Sequence, residues 1–598
     1  MSPLTPRREF LRLGAAAAWL ASGSGGSLGT AQDPPYGVRF SDVAREAGLT
    51  DTIYYGSSEQ VKYIVEANGC GVAFYDFDND GWVDLFVLNG SRLEGFPDGE
   101  LPTNRLYRNN RDGTFSDVTE EAGLKRSGWA NSVCIGDFDN DGHDDLFVTY
   151  WGQNVLYRNN GDGTFYDVTA DAGLGAFPDR WNAGATFIDY DRDGHLDLFV
   201  SNYVEVELAK LPLPGQGNNC EWKGVPVFCG PRGMRGTKNY LFRNNRDGTF
   251  SDVSEEAGIH NPNGYYGMTA IVTDVDEDGW PDIYVACDST PSILYRNNRD
   301  GTFTDIAVES GVAYSEDGRE QAGMGLATAD YDGDGKLDIV KTLFADEMPA
   351  LYRNSGNGTF ADMSVAAGLH EVTQHIQWGT GLVDFDNDGW PDLFYSVGNL
   401  FPRVERFNPR YPYRGPRFLF RNQRDGTFRN ITDQCGPGLA AAHSSRGCAF
   451  GDFDNDGDMD ILVMNMNEPP SLIRTDVSTG NHWLKVKLAG VESNRTAIGA
   501  RVDVEAGSQR QSQEVQSQSS YYSVNDLRLH FGLGDRTHAD TVTVRWPSGT
   551  REALSKVRGD RVIFIEEGKG IVRAEEFGTP TKVGIRDSQS IPDADVRE

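Results

Sequence analysis

Residues 137–148 read DFDNDGHDDLFV, in which aspartates at positions 1, 3, 5 and 9 accompany a glycine at position 6 and precede an apolar run. The same pattern, hereafter the acidic loop, occurs seven times, beginning at Asp76, Asp137, Asp189, Asp274, Asp330, Asp384 and Asp452. Successive loops begin 52 to 85 residues apart. Self-similarity at such a period predicts a repeat architecture.

Each acidic loop lies between segments that are typical of β-strands. A small apolar run precedes the loop, as in ATFI at residues 185–188, and a run such as LFV follows it. Further along, residues 106–119 read LYRNNRDGTFSDVT, which predicts two short strands joined by an Asp-Gly turn. One repeat therefore supplies four antiparallel strands, and a series of such repeats predicts the blades of a β-propeller.

The N-terminal segment is predicted to complete the last blade. An FSDVT-like strand follows six of the loops, at residues 115–118, 165–168, 250–253, 303–306, 360–363 and 428–431, but none follows the loop at Asp452. An isolated copy, FSDV, begins at Phe40. We predict a seven-bladed propeller over residues 37–475 that closes through this strand and so leaves no free sheet edge. The longest gap between loops places an insertion at about 204–236.

The aspartate spacing predicts a calcium ion at each loop. Calcium takes six to eight oxygen ligands, and glycine at position 6 permits a sharp bend. Position 7 varies in type, so we expect it to ligate through its main-chain carbonyl. The predicted ligands are Asp76, Asp78, Asp80, Trp82 and Asp84; Asp137, Asp139, Asp141, His143 and Asp145; Asp189, Asp191, Asp193, His195 and Asp197; Asp274, Asp276, Asp278, Trp280 and Asp282; Asp330, Asp332, Asp334, Lys336 and Asp338; Asp384, Asp386, Asp388, Trp390 and Asp392; and Asp452, Asp454, Asp456, Asp458 and Asp460.

Two other interpretations of the loops fit less well. An EF-hand needs a glutamate at position 12 and helices on both sides, whereas position 12 is Val87, Val148, Val200, Val285, Lys341, Tyr395 or Val463. Aspartates that only form turns would hold four like charges together in each of seven loops, which is costly without cations. We therefore expect about seven calcium ions.

Composition and the chain ends indicate an exported protein. The 89 acidic and 55 basic residues give a net charge of −34, which argues against a nucleic-acid partner. Arg7 and Arg8, an apolar stretch and the small residues Gly29 and Ala31 resemble a twin-arginine signal peptide over residues 1–31. No later segment is apolar enough for membrane insertion. We predict a periplasmic or secreted monomer, with a flexible tail at 569–598.

Seven cysteines leave at least one thiol unpaired within the chain. Cys220 and Cys229 share one Pro/Gly-rich loop, and they are the first choice for a disulfide, which export permits. Cys435 and Cys448 form the second candidate pair.

The repeats resemble the FG-GAP/VCBS repeats of integrin α-subunit propellers. Residues 481–549 contain NHWLKVKLAG, SNRTAIGARVDVEAG, SSYYSVNDLRLHFGLGD and VTVRWPSGT, which resemble the ASPIC/UnbV domain of cartilage acidic protein relatives. This resemblance implies a small transthyretin-like β-sandwich at 481–567, packed against the propeller. It also implies calcium ligation by the aspartates at positions 1, 3, 5 and 9 of every loop.

The sequence predicts a binding protein rather than an enzyme, because it contains no GxSxG, HExxH or P-loop motif and no catalytic residue can be named. The leading hypothesis is an exported calcium-binding scaffold that engages an unidentified protein or glycan. The alternative is an enzyme or accessory protein of a biosynthetic pathway, since the UnbV name is attached to enediyne clusters. His375, His443 and Arg446 precede the last two loops and either face the channel or satisfy the inner strands.

Overall fold

The computed structural model describes residues 36–96, 101–175, 180–260 and 263–577. The predicted signal peptide and the end of the predicted tail lie outside these residues. The regular structure is almost entirely β, with short helices or 3-10 turns at Ile64–Glu66, Leu208–Lys210, Leu369–Val372, Val404–Phe407, Thr432–Gln434 and Pro437–Ala440. Among the described residues, no helix is both long and apolar enough to cross a membrane.

Seven antiparallel sheets form the blades, each of four strands, and in the fourth blade the short strand Gln321–Ala322 pairs in addition with the second strand. Their first strands are Val72–Tyr75, Trp129–Gly136, Asn182–Ile188, Gly267–Thr273, Leu326–Ala329, Gln377–Val383 and Ser445–Gly451. The second strands are Asp84–Val87, Asp145–Trp151, Asp197–Asn202, Asp282–Thr290, Asp338–Lys341, Asp392–Val397 and Asp460–Asn465. The third strands are Arg105–Asn109, Val155–Asn159, Tyr240–Asn244, Ile293–Asn297, Ala350–Asn354, Phe418–Asn422 and Ser471–Val477. The fourth strands are Phe115–Asp117, Phe165–Asp167, Phe250–Asp252, Phe303–Asp305, Phe360–Asp362, Phe428–Asn430 and, in the last blade, Val38–Asp42.

The blades form a closed ring, because each first strand contacts the first strand of the next blade and the last contacts the first. Val38–Asp42 pairs antiparallel with Ser471–Val477, with Phe40 opposite Thr475, so the N-terminal strand completes the last blade as predicted. All four residues of Asp84–Val87 are buried because the blade is packed between two neighbours. The predicted all-β propeller fold is confirmed.

An asparagine at the end of the third strand links neighbouring blades. In six blades its side-chain amide donates a hydrogen bond of 2.8–3.1 Å to the position-2 carbonyl of the preceding blade. The donors are Asn109, Asn159, Asn244, Asn297, Asn354 and Asn422. Asn109 reaches Phe453 and so joins the first blade to the last. The last blade carries Thr475 at this place, and its hydroxyl donates within its own blade, to Met459.

The insertion at 204–236 lies between the second and third strands of the third blade. It contains the hairpin Glu221–Trp222 and Val225–Pro226. Cys220 and Cys229 form the predicted disulfide. The second candidate pair is wrong, because Cys435 and Cys448 are both free and buried.

Two further four-stranded sheets form the C-terminal domain and share one apolar core. One contains Leu529–Gly534, His482–Ala489, Arg561–Glu566 and Gly570–Glu575, and the other contains Gln509–Glu514, Arg501–Ala506, His538–Arg545 and Arg551–Arg558. The strand Gly570–Glu575 corrects the predicted flexible tail at 569–598. Its main chain pairs with Arg561–Glu566, and the Arg573 guanidinium lies 3.6 Å from the centroid of the Phe564 ring. A strand held at a sheet edge by its main chain needs few apolar residues, so composition did not reveal it.

Residues 515–526, hereafter the channel segment, leave the C-terminal domain and enter the centre of the ring. Main-chain hydrogen bonds join Ser520 to Leu326 in both directions, at 2.6 and 2.8 Å. Val524 is joined in the same way to the first blade, because its N–H donates to Val72 and its carbonyl accepts from Phe74.

The remaining first strands are reached by other groups of the channel segment. These contacts involve Ile135, Phe187, Val272, Thr380 and Phe450. The channel segment therefore touches the first strand of every blade. Tyr521 and Tyr522 are fully buried within the ring. The polar residues of the channel segment can lie there because their hydrogen bonds to the first strands replace those to water.

Substituting Gly71 by alanine tests the fit of the channel segment. A Cβ at this position would lie 1.8 Å from the carbonyl oxygen of Tyr522, so main chain would have to move. We expect Gly71→Ala to lower the free energy of unfolding by about 1–3 kcal/mol in urea titrations. Gly230→Ala is the control, because a Cβ there meets nothing within 4 Å. Equal stability of the two variants would contradict the fit described.

Removing the Asn109 side chain tests the blade link at ring closure. Asn109→Ala leaves the carbonyls of Phe453 and Val83 without their donor, which should cost about 1–3 kcal/mol of unfolding free energy. The neighbouring Asn110 is exposed and bonds only locally to Thr114 and Ser116. Asn110→Ala should therefore change stability by no more than about 0.5 kcal/mol in the same thermal and urea measurements. A similar loss of unfolding free energy in both variants would show that the bond between the two blades does not contribute specifically to stability.

Candidate metal centres in the acidic loops

Each acidic loop is folded around the carboxylate at position 1. In the second loop Asp137 accepts hydrogen bonds from the N–H groups of Asp141 and Gly142, at 3.0 and 2.7 Å. Position 6 is glycine in every loop and has a φ of +83° to +94°, a conformation that L side chains rarely adopt. The loop therefore turns sharply enough to bring distant carboxylates together.

The structure brings the aspartates at positions 1, 3 and 9 to one point. In five loops a carboxylate oxygen from each lies within 4.8 Å of the other two. These groups are Asp76, Asp78 and Asp84; Asp137, Asp139 and Asp145; Asp189, Asp191 and Asp197; Asp274, Asp276 and Asp282; and Asp330, Asp332 and Asp338. Three converging carboxylates are a donor set suited to a hard divalent cation.

Several of these oxygens are buried and have no hydrogen-bond partner. The Oδ1 atoms concerned belong to Asp139, Asp191, Asp276, Asp330 and Asp454. Burial raises the pKa of Asp137 to about 8 and that of Asp189 to about 7, and the neighbouring carboxylates add to the effect. A buried charged oxygen without a partner is costly, so the residues present fit a bound cation.

Position 9 also has a second role that the sequence did not reveal. Asp145 accepts hydrogen bonds from the main-chain N–H groups of Phe138 and Asn159, at 3.0 and 2.8 Å. Equivalent bonds from the third strand reach Asp84, Asp197, Asp282, Asp338, Asp392 and Asp460. Position 9 therefore ties the loop to its own blade as well as facing the cation site.

Position 5 points elsewhere in most loops. Its Oδ1 accepts the N–H of position 7, as Asp80 does from Trp82 at 2.9 Å. Its other oxygen meets a basic side chain: Asp80 pairs with Arg111 at 2.5 Å, and Asp193, Asp278 and Asp388 pair with Arg246, Arg299 and Arg424. Ligation by position 5 and by the carbonyl of position 7 stays a prediction.

The seventh loop contains a cation of its own. The ammonium group of Lys485, whose side chain is fully buried, contacts the carboxylate of Asp452. Arg528 donates to the carbonyl of Asp452 and to Asn455 Oδ1. Both basic residues come from the C-terminal domain, and sequence reasoning missed them because nothing in their own strands marks them as partners of a loop. We expect this loop to bind a divalent cation less tightly than the others.

The C-terminal domain covers all seven loops. Thr496 accepts from the N–H of Asp137, Arg192 donates to the carbonyl of Pro547, and Gln509 donates to the carbonyl of Asp388. Arg501 reaches the fourth and fifth loops through Glu277 and Gly335, and Arg528 reaches the first and seventh through Gly81 and Asn455. The position of the C-terminal domain on the ring therefore depends on the conformation of every loop.

Arg446 and His443, which were singled out from the sequence, form contacts with other residues of the ring. Arg446 is fully buried, stacks on Trp378 at 4.2 Å from the ring centroid, and donates to the carbonyl of Ala67. His443 Nδ1 lies 2.5 Å from a carboxylate oxygen of Glu468.

Two family models match the chain. The FG-GAP-like repeat matches residues 76–148, 137–200, 227–285, 274–340 and 411–463, and the ASPIC and UnbV model matches 490–572. Neither description names an enzyme.

Cartilage acidic protein 1 is similar along much of the chain. The Xenopus tropicalis protein is 24% identical over 541 residues, covering 86% of this chain and 75% of that protein. The Homo sapiens protein is 28% identical over 321 residues, covering 53% and 46%, so the match spans less than half of the human protein. A lectin structure from Agrocybe aegerita, described as recognising non-reducing terminal N-acetylglucosamine, has a TM-score of 0.35 at 18% identity and covers 66% of this chain and 88% of that one. The chain is thus a protein of FG-GAP-like repeats followed by an ASPIC and UnbV domain, as its motifs predicted.

Proposed function

We propose that the protein is an exported binding scaffold, stabilised by calcium in its acidic loops, that engages a protein or glycan. The observation that carries this proposal is the group of buried, unpartnered carboxylate oxygens at positions 1 and 3 of the loops. These groups recur around the ring, which favours a role in holding the scaffold together over a role in a single catalytic centre.

Calcium is the cation that this donor set favours. Carboxylate oxygens suit calcium and magnesium, but magnesium demands a near-ideal octahedron whereas calcium accepts irregular sites of six to eight oxygens. Three carboxylates, with water and a carbonyl completing the shell, make such an irregular site. We propose about seven ions, with the seventh loop the weakest because Lys485 already contacts Asp452.

The face of the ring opposite the acidic loops is the proposed binding surface, hereafter the open face. It is formed by the connections between second and third strands, whereas the acidic loops join first and second strands and lie beneath the C-terminal domain. The open face carries the disulfide-bonded insertion and the long connection at 398–415. Phe407, on that connection, is 66% exposed, and exposed aromatic rings are common at interfaces.

The disulfide agrees with an oxidising compartment outside the cytosol. Export through the twin-arginine pathway remains a proposal based on Arg7 and Arg8. The alternative of a biosynthetic enzyme or accessory protein is favoured by no feature of the described residues.

Removal of calcium should lower stability. Each site that binds only the folded state adds about 2.7 kcal/mol when free calcium is a hundredfold above its Kd. We expect excess calcium to raise Tm by several degrees relative to EDTA, and equimolar magnesium to have a smaller effect. Metal analysis of the purified protein supplies the number of ions. A Tm that is the same in calcium and in EDTA, with no metal retained, would overturn the proposal.

A substitution on the open face tests the binding role. The full chain with calcium is screened on a glycan array and by affinity capture, and each ligand found is titrated. Phe407→Asp should weaken binding at least about tenfold, since buried aromatic anchors dominate interface energy. Val491→Asp, which alters an apolar residue of the C-terminal domain that is 57% exposed, is the control. Ligands that are unaffected by Phe407→Asp, or turnover of a captured molecule by the purified protein, would count against a binding scaffold of this design.

A further inference from the structure

A cavity of about 270 Å³ opens on the open face, between the insertion and the ends of the first strands. Its walls include the aromatic side chains Trp222, Phe344 and Trp378, the carboxylates Asp288 and Glu347, and the amide of Asn68. We propose that this cavity binds a small organic cation, an ammonium group carried on a short hydroxyl-bearing apolar body.

Aromatic rings supply the apolar walls. The Trp222 ring packs edge-on against Phe344, with ring centroids 5.6 Å apart, and these contacts hold the indole at the cavity. The face of an aromatic ring attracts cations within about 6 Å of its centroid. The chain already shows this attraction at Trp222, because the ammonium group of Lys223 lies 5.6 Å from its centroid.

The two carboxylates are held by neutral hydrogen-bond donors. Asp288 accepts hydrogen bonds from the hydroxyls of Tyr203 and Ser289, and Glu347 accepts from the N–H of Ala322 at 2.9 Å. Within the described part of the chain neither forms an ion pair at 4.0 Å or less. Both are therefore fixed in position by neutral donors, while Arg232 and, at Glu347, Lys341 act on them only from beyond ion-pair distance.

The basic side chain on the cavity wall is engaged elsewhere. Arg232 pairs with Glu320 at 3.0 Å, and its side chain is 54% exposed. Burial raises the pKa of Asp288 and brings that of Glu347 to about 7, because desolvation makes each charged carboxylate costly, although the charge of Arg232 lowers both. A bound cation relieves this cost, whereas a neutral sugar would desolvate the carboxylates further without neutralising them.

The side chain of Asn68 indicates that the ligand carries a hydrogen-bond acceptor. Its side chain is 3% exposed, and its Nδ2 donor has no hydrogen-bond partner. A buried donor without an acceptor is costly and is rarely retained without a use. A hydroxyl oxygen on the ligand would supply the acceptor, which is why the proposed body carries one.

This inference concerns a site distinct from the partner surface around Phe407, so its outcome is separable from that of the proposed function. A protein or glycan ligand lost in Phe407→Asp says nothing about the cavity. Conversely, an empty cavity would leave the calcium-stabilised scaffold unaffected.

Choline and its neutral isostere 3,3-dimethylbutan-1-ol are the probes. Both are titrated by calorimetry into the full chain in excess calcium, with tryptophan fluorescence as the second readout. We expect choline to bind saturably and about tenfold more tightly than the alcohol, as a desolvated cation at an aromatic and acidic site should. Equal affinity of the two probes, or no binding of choline, would overturn the proposal.

Variants locate the site. Asp288→Asn removes the charge and keeps one acceptor oxygen, so only one of the two hydroxyls of Tyr203 and Ser289 can still donate to it. It should weaken choline about tenfold while leaving the alcohol unchanged. Asp535→Asn, at a carboxylate that is 97% exposed on the C-terminal domain, is the control and should change neither. If Asp288→Asn fails to fold by circular dichroism, Glu347→Gln takes its place. Choline binding that survives both changes, or saturable binding of N-acetylglucosamine in place of choline, would place the inference in error.

Discussion

Repulsion between buried carboxylates is the constraint on which the rest of the structure depends. In five acidic loops the fold holds three carboxylates within 4.8 Å of one another, and this arrangement is costly for ionised groups unless a cation compensates the charge. Three features maintain it: the positive φ at position 6, the N–H groups of positions 5 and 6 that donate to the carboxylate of position 1, and the third-strand N–H that donates to position 9. Basic side chains from neighbouring hairpins and from the C-terminal domain neutralise part of what remains.

The C-terminal domain makes the ring and its loops one unit. It bonds to the outer surface of every acidic loop and sends the channel segment through the centre to the first strand of every blade. A propeller with a filled channel has little freedom for its blades to tilt, because each is fixed at its inner strand and at its loop. The proposed recognition therefore falls to the open face, where the connections differ in length and in aromatic content.

The sequence predicted what repeats and could not predict what occurs once. Seven identical aspartate spacings revealed the loops, and the isolated FSDV at Phe40 revealed how the ring closes. The path of residues 515–526 through the ring was not predicted, because their partners are mostly main-chain groups scattered over the whole ring, which leave no pattern in the segment itself. For the same reason Lys485 looked like an ordinary strand residue, and the cysteine pairing at 435 and 448 was wrong. The cavity on the open face combines residues from five separate connections and has no local pattern.

The channel segment sets the order in which the molecule can assemble. Val524 pairs with Val72, and Phe40 with Thr475, so the contacts that complete the ring join residues more than four hundred positions apart. Contacts of such long range make folding slow, because the chain entropy is lost before they form. During synthesis the contacts between the first strands and the channel segment cannot form until about nine-tenths of the chain has emerged, and until then strand edges of the early blades are exposed. Truncation before residue 515 would leave a ring without the channel segment and with only part of the C-terminal domain over its acidic loops.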